Sequence, residues 1–208
     1  MKSIIFSVFL LSLFLLPLIL AEKTKCYVCH GVDSKTCEEK EKECEEGSDC
    51  ITISEEFGSL GKKSASIYKR CALNFPCNTT FHVQSGNDVY LRLNTDCCSG
   101  PLCNSGNYNM PTENQTEPKG RLCPTCYAFN TMQGCNATKS SVCPGEDDEC
   151  VRFRGTLKPP GGKDVDFSGK GCSSKEACKL DYSALIGMKI TKQLEHTCYK
   201  PETTKPSN

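Results

Sequence analysis

Apolar residues in this chain follow two regimes. The first is a single block. Met1-Lys2-Ser3 leads into a run from Ile4 to Leu20 that only Ser7, Ser12 and Pro17 interrupt. A short basic start, an apolar core and the small Ala21 predict a secretory signal peptide over residues 1–21, with the mature chain starting near Glu22. The second regime has period two. Ile51 and Ile53 alternate with Thr52 and Ser54, and Val89, Leu91 and Leu93 with Tyr90, Arg92 and Asn94. Further on, Val151 and Phe153 alternate with Arg152 and Arg154, and Val165 and Phe167 with Asp164 and Asp166. This alternation predicts half-exposed β-strands. Turn residues separate them at Gly58–Gly61, Ser85–Asp88 and Pro159–Gly162, so the strands pair as hairpins. Residues 105–122 are polar, carry two prolines and lack apolar periodicity, which predicts a linker. The tail, 201–208, is polar as well. It lacks the hydrophobic stretch a lipid-anchor signal needs, so no membrane anchor is expected.

Cysteine spacing turns these hairpins into an architecture. The first series is Cys26, Cys29, Cys37, Cys44, Cys50, Cys71, Cys77, Cys97, Cys98 and Cys103. The second is Cys123, Cys126, Cys135, Cys143, Cys150, Cys172, Cys178 and Cys198. Both open with Cys-x-x-Cys, and both have long gaps on either side of a close pair, Cys71/Cys77 and Cys172/Cys178. Two copies of one module follow, over 22–104 and 123–200. In an oxidising compartment such thiols pair as disulfides, and crosslinks replace the large core that a small secreted domain lacks. The expected fold is all-β and disulfide-rich, with hairpin fingers projecting from a crosslinked palm.

Charge adds little: 25 basic residues balance 25 acidic ones, and nothing favours nucleic acid. The acidic cluster Glu38 to Glu46 stands out locally. Glu38, Glu39, Glu41 and Glu43 are candidates for contact with a basic partner, against the alternative of a solvated face. His30, His82 and His196 are scattered, and no nucleophile motif, zinc motif or phosphate loop occurs, so neither catalysis nor a cofactor or metal is expected. Asp147-Asp148-Glu149 lacks the spaced ligands of a calcium loop and reads as a solvated turn. Sequons at Asn78, Asn114 and Asn136 are candidate glycan sites. Phe57, Leu60, Tyr68, Phe81, Val83 and Leu157 are finger positions available for binding. Tyr182, Leu185, Ile186 and Met188 form an apolar stretch with two open readings, a buried strand pair or an exposed contact patch.

Cys26-x-x-Cys29 at the start of the first module, with Cys97-Cys98 and Cys103-Asn104 at its end, resembles the three-finger fold of the lymphocyte-antigen-6/urokinase-receptor superfamily. The resemblance implies two tandem three-finger domains. It implies the pairs Cys26–Cys50, Cys29–Cys37, Cys44–Cys71, Cys77–Cys97 and Cys98–Cys103 in the first. In the second it implies Cys123–Cys150, Cys126–Cys135, Cys143–Cys172 and Cys178–Cys198. The ten-plus-eight arrangement, with Gly120 to Cys126 and Lys170 to Cys178, is similar to gamma-type phospholipase A2 inhibitors, and also to sodefrin-precursor-like factors of amphibians. The first likeness implies a secreted, non-enzymatic protein that binds a phospholipase A2 by protein contact. The second implies a secreted signal read by a receptor. Self-association is left open.

Overall fold

The computed structural model describes residues 23–72, 75–86, 88–111, 121–180, 182 and 185–200. The signal segment, the tail and Asn114 lie outside the described residues. Eleven strands dominate: β1 (Lys25–Gly31), β2 (Lys40–Glu43), β3 (Asp49–Ser59), β4 (Lys62–Ala72), β5 (Thr79–Ser85), β6 (Val89–Cys98), β7 (Leu122–Phe129), β8 (Lys139–Val142), β9 (Glu149–Lys158), β10 (Val165–Ser173) and β11 (Lys189–Tyr199). One 3-10 turn, Ala177–Lys179, breaks the pattern. Among the described residues no helix is long and apolar enough to cross a membrane.

In the first module, β1 pairs with β2, β3 with β4 and β5 with β6, which gives three fingers. The central finger is the most regular. Its register runs unbroken from Asp49↔Ala72 to Ser59↔Lys62. Leu60 and Gly61 close it with φ of 50° and 78°, the left-handed pair that a two-residue hairpin turn requires. The second module repeats the plan with β7/β8 and β9/β10. Its third finger is incomplete: β11 runs alone beside β9, and the apolar stretch before it forms no strand pair among the described residues.

Nine disulfides tie the two palms. They join Cys26–Cys50, Cys29–Cys37, Cys44–Cys71, Cys77–Cys97, Cys98–Cys103, Cys123–Cys150, Cys126–Cys135, Cys143–Cys172 and Cys178–Cys198. No cysteine is free. The cystines themselves form the palm cores: Cys26, Cys44 and Cys50 in one module, Cys123, Cys143, Cys150 and Cys172 in the other. Asn104 latches the first palm. Its Nδ2 donates to the carbonyls of Tyr27 and Ile51, and its Oδ1 accepts from the Tyr27 N–H.

Two sequence expectations change here. Thr52 and Ser54 are not the exposed face of a half-buried strand, because both are buried with Ile51 and Ile53. Their cover is the first part of the segment read as linker. The Asn109 N–H donates to Ser54 Oγ, the Tyr108 hydroxyl to the Glu55 carbonyl, and Arg92 to the Pro111 carbonyl. Residues 104–111 therefore form a strap laid across β3 and β6. Burial beneath the module surface pushes the Tyr108 hydroxyl up to about 12.

The two modules also share one sheet. β10 pairs antiparallel with β5 through Cys172↔Gln84 and Ser173↔Val83, so the strand order runs β11-β9-β10-β5-β6-β3-β4-β1-β2. A single apolar cluster crosses the junction, with Ile51, Ile53, Phe81 and Leu93 from the first module against Ala177, Tyr182 and Leu185 from the second.

Candidate binding cleft between the central fingers

The junction is held by polar contacts set around that shared core. Glu55 lies on β3, on the same face as Ile51 and Ile53, and a carboxylate there is only 2% exposed. Its Oε1 accepts the Met188 N–H at 2.6 Å and its Oε2 the Gly187 N–H at 3.1 Å. Burial raises this carboxyl above the ordinary glutamate range, and the N–H donors offset part of that rise. A second contact pairs His82 Nε2 with Asp148 Oδ2 at 2.9 Å. Asp148 also accepts the Gly145 N–H, which holds its carboxylate in place. Beside it, the Ser174 N–H donates to the His82 carbonyl at 2.9 Å, and the His82 N–H to Ser174 Oγ. Replacing Asp148 by Ala is expected to cost about 2 kcal/mol, since a partly buried ring nitrogen and an N–H lose their acceptor. Faster hydrogen exchange at Ser174 in that variant, with unchanged exchange at Ile53, would check it.

Above the shared core the central fingers stand apart and leave a cleft of about 440 Å³. Phe57 and Leu60 line it from the first module, and Phe129, Leu157, Pro159 and Val165 from the second. Lys62, Lys63 and Asp33 bring charge to the same cleft. Beneath lies a smaller apolar cavity of about 70 Å³, which shares Phe57, Leu157 and Met188 with the cleft. Val151, Phe153, Phe167 and Tyr182 are among its walls. His196 also faces it, between the rings of Tyr182 at 5.0 Å and Phe153 at 6.5 Å. Its buried Nε2 has no hydrogen-bond partner, and burial lowers the imidazole's proton affinity.

The residues singled out from sequence fall in different places. Leu185 and Met188 are 6% and 4% exposed, so an outward contact patch at these two is overturned, while Ile186 beside them is half-buried. Docking against Glu55 and the first module's core turns that stretch inward. Phe81 is likewise core rather than a free finger residue. Asp148 is buried, not part of a solvated turn, because His82 meets it across the junction. Glu38, Glu41 and Glu43 are exposed as the sequence reading has them. Glu39 is committed elsewhere, to an ion pair with the buried Lys69 ammonium. Leu60, at the tip of the first central finger, is 63% exposed, and nearby Val32 is 43% exposed. Asn78 and Asn136 lie on the surface. The close sulfur sets at Cys26/Cys44/Cys71 and Cys123/Cys143/Cys172 belong to disulfides and offer no thiolate to a metal.

Local periodicity sets Glu55 on the face of Ile51 and Ile53 but names no partner for it, and it carries no trace of the Asp148 contact. Their partners are remote in sequence, and Asp148 sits in an acidic triplet that looks solvated. The other sequence signal is the apolar stretch after Cys178, which needs a surface to cover it.

The model of the u-PAR/Ly-6 domain matches residues 22–106 and again 119–205. The chain is 27% identical over 151 residues to the phospholipase A2 inhibitor 31 kDa subunit of Naja kaouthia, covering 72% of this chain and 78% of that protein. It is 26% identical over 157 residues to phospholipase A2 inhibitor CNF of Crotalus durissus terrificus, covering 74% of this chain and 75% of that one. Among solved structures, mouse TEX101 aligns over 85% of this chain and 98% of its own, at 19% identity and a TM-score of 0.35.

Proposed function

The chain belongs to the u-PAR/Ly-6 domain family, and from that premise we propose that it is a secreted, non-enzymatic protein that inhibits phospholipases A2 by protein–protein contact. The observation that carries this reading is the likeness to named phospholipase A2 inhibitors across both modules rather than one. The geometry supports it. Disulfide-bound palms and a shared sheet hold two finger tips rigidly, so little ordering entropy is lost when a partner docks on them. The exposed Leu60 and Val32 give the first module's tips an apolar anchor, and the cleft beside them can receive a partner's side chain. Such contact blocks an enzyme by covering the face that meets lipid, with no bond made or broken.

Surface plasmon resonance against a panel of acidic and basic secreted phospholipases A2, paired with a lipid hydrolysis assay, tests it. Saturable binding and inhibition by the same variant set are expected. Leu60→Asp should raise the dissociation rate about tenfold or more, because an apolar anchor is replaced by a charge that must be desolvated. Changing Glu38, Glu41 and Glu43 together to Lys should slow association with basic enzymes about tenfold at low salt and leave dissociation nearly unchanged. Absence of binding to every member at micromolar concentration would rule the inhibitory role out.

A further inference from the structure

Charge is sorted by face in the first finger, where β2 sends its lysines to one side and its glutamates to the other. We propose that the lysine face is a binding site for a sulfated saccharide, with Lys40, Lys42 and Arg70 as its anion contacts.

Strand register places the three cations together. Lys40 stands opposite Val28 on β1 and Lys42 opposite Cys26, and cross-strand partners share a face. Two residues past Val28, His30 stands opposite Tyr68 on β4, and Arg70 is two residues past Tyr68 on that same face. Glu41 and Glu43 pair with Tyr27 and Lys25, so they leave from the other side. Lys69 leaves from that other side too, where Glu39 takes up its ammonium. The lysine face forms a trough of about 540 Å³, with Val28 and Tyr68 among its walls and Glu38 the one carboxylate lining it.

These cations are uncommitted. Among the described residues none of Lys40, Lys42 and Arg70 forms an ion pair. Arg70 is also held in place: its guanidinium carbon lies 5.5 Å from the Tyr68 ring centre and 4.9 Å from that of Phe75. Its Nε is buried without a hydrogen-bond partner. A planar fork fixed in this way is prepared for an oxyanion and loses little freedom on binding one. In the second module Arg152 and Arg154 are both committed to Glu195, so that module does not repeat the site.

Spacing and backbone select the occupant. Lys40 and Lys42 are about 7 Å apart along β2, and Arg70 lies two strands across, about 10 Å away. One anionic group cannot meet all three, whereas a saccharide bearing several sulfates can. A peptide finds no backbone partner in the floor, because β1 is paired to β2 and β4, and β4 to β1 and β3. At the open edge of β2 an acidic strand would also meet Glu41 and Glu43. The trough's volume falls in the small-molecule range, roughly 300–1,000 Å³, which suits a short oligosaccharide.

The test uses the full-length protein and fluorescence anisotropy of a labelled heparin hexasaccharide. Saturable binding of one hexasaccharide per chain is expected, weakening as salt rises. Lys40→Gln with Lys42→Gln should weaken it about tenfold at low salt. Both lysines are exposed, so this double variant should fold as the parent does. Arg70→Lys keeps the charge but loses the planar fork, and should weaken binding about fivefold. Arg152→Gln removes an exposed charge outside the trough and should leave affinity unchanged. Four results would overturn the site: no binding at low salt, equal binding of the fully desulfated hexasaccharide, equal loss in Arg152→Gln and the lysine variant, or equal displacement by a charge-matched glutamate peptide. Phospholipase binding is not read out, so the outcome stands apart from the inhibitory function proposed above.

Discussion

Replacing Gly171 by Ala should pull the two modules apart. A β-carbon at that position in β10 would lie 1.8 Å from the Gln84 carbonyl oxygen and 3.0 Å from the Ser85 Cα. Both neighbours are backbone, so no rotamer change relieves the clash, and β10 must move away from β5. That movement breaks the Cys172↔Gln84 and Ser173↔Val83 pairing, and with it the Ser174 N–H to His82 bond. It also opens the cluster in which Phe81 packs with Tyr182 and Leu185. Overpacking costs of this kind reach about 3 kcal/mol, and at 2–4 °C per kcal/mol the melting temperature should fall by about 6–12 °C. The nine disulfides lie within the modules, so each palm should survive. The expected signature is a larger radius of gyration in X-ray scattering, with rapid exchange at Ser174 and retained protection in β3. A variant with the parent's scattering curve and melting temperature would show that the β5–β10 contact does not join the modules.

Gly171 also shows where sequence reading stops. The alternation at Ile51/Ile53 and Val151/Phe153 marks strands because strand geometry repeats every second residue, and β3 and β9 lie where it places them. Leu60-Gly61 and Pro159–Gly162 mark turns through local backbone preference. The ten-plus-eight cysteine series marks two modules of one kind. All of these are short-range signals or repeats. Contact between modules is neither. A glycine in a strand reads as a weak point unless the neighbouring backbone is known. Glu55 shares the face of Ile51 and Ile53 but has no partner near it in sequence, and Asp148 in an acidic triplet reads as solvated. In sequence alone the stretch from Tyr182 to Met188 stays open between core and contact surface, because its apolar character says that it is covered but not by what. The cleft was hidden for the same reason, since Phe57 and Leu157 belong to different modules.

Glu55→Ala should be the most damaging side-chain change at this junction. It strips the acceptors from the Gly187 and Met188 N–H groups, both inside the interface. Each buried, unsatisfied donor costs about 1–3 kcal/mol. Removing a desolvated carboxylate returns part of this, so a net loss of about 3 kcal/mol is expected, with a fall of about 6–12 °C in melting temperature. Glu55→Gln keeps one carbonyl acceptor and should cost less. The two variants also separate the charge from the shape. Burial raises the folded-state pKa of Glu55 above the unfolded value, about 4.5. A group raised in this way contributes stability that is fully present below 4.5 and is lost as pH climbs through the higher folded value. Glutamine does not titrate. The stability of the parent relative to Glu55→Gln should therefore be greatest in acid and decline as pH rises past the raised pKa, then level off. Denaturant unfolding of both proteins from about pH 4 to about pH 8 measures the difference directly. A parent that gains on the glutamine variant as pH rises would mean that the N–H donors of Gly187 and Met188 outweigh burial, and that the junction is held by the charge of Glu55 rather than in spite of it.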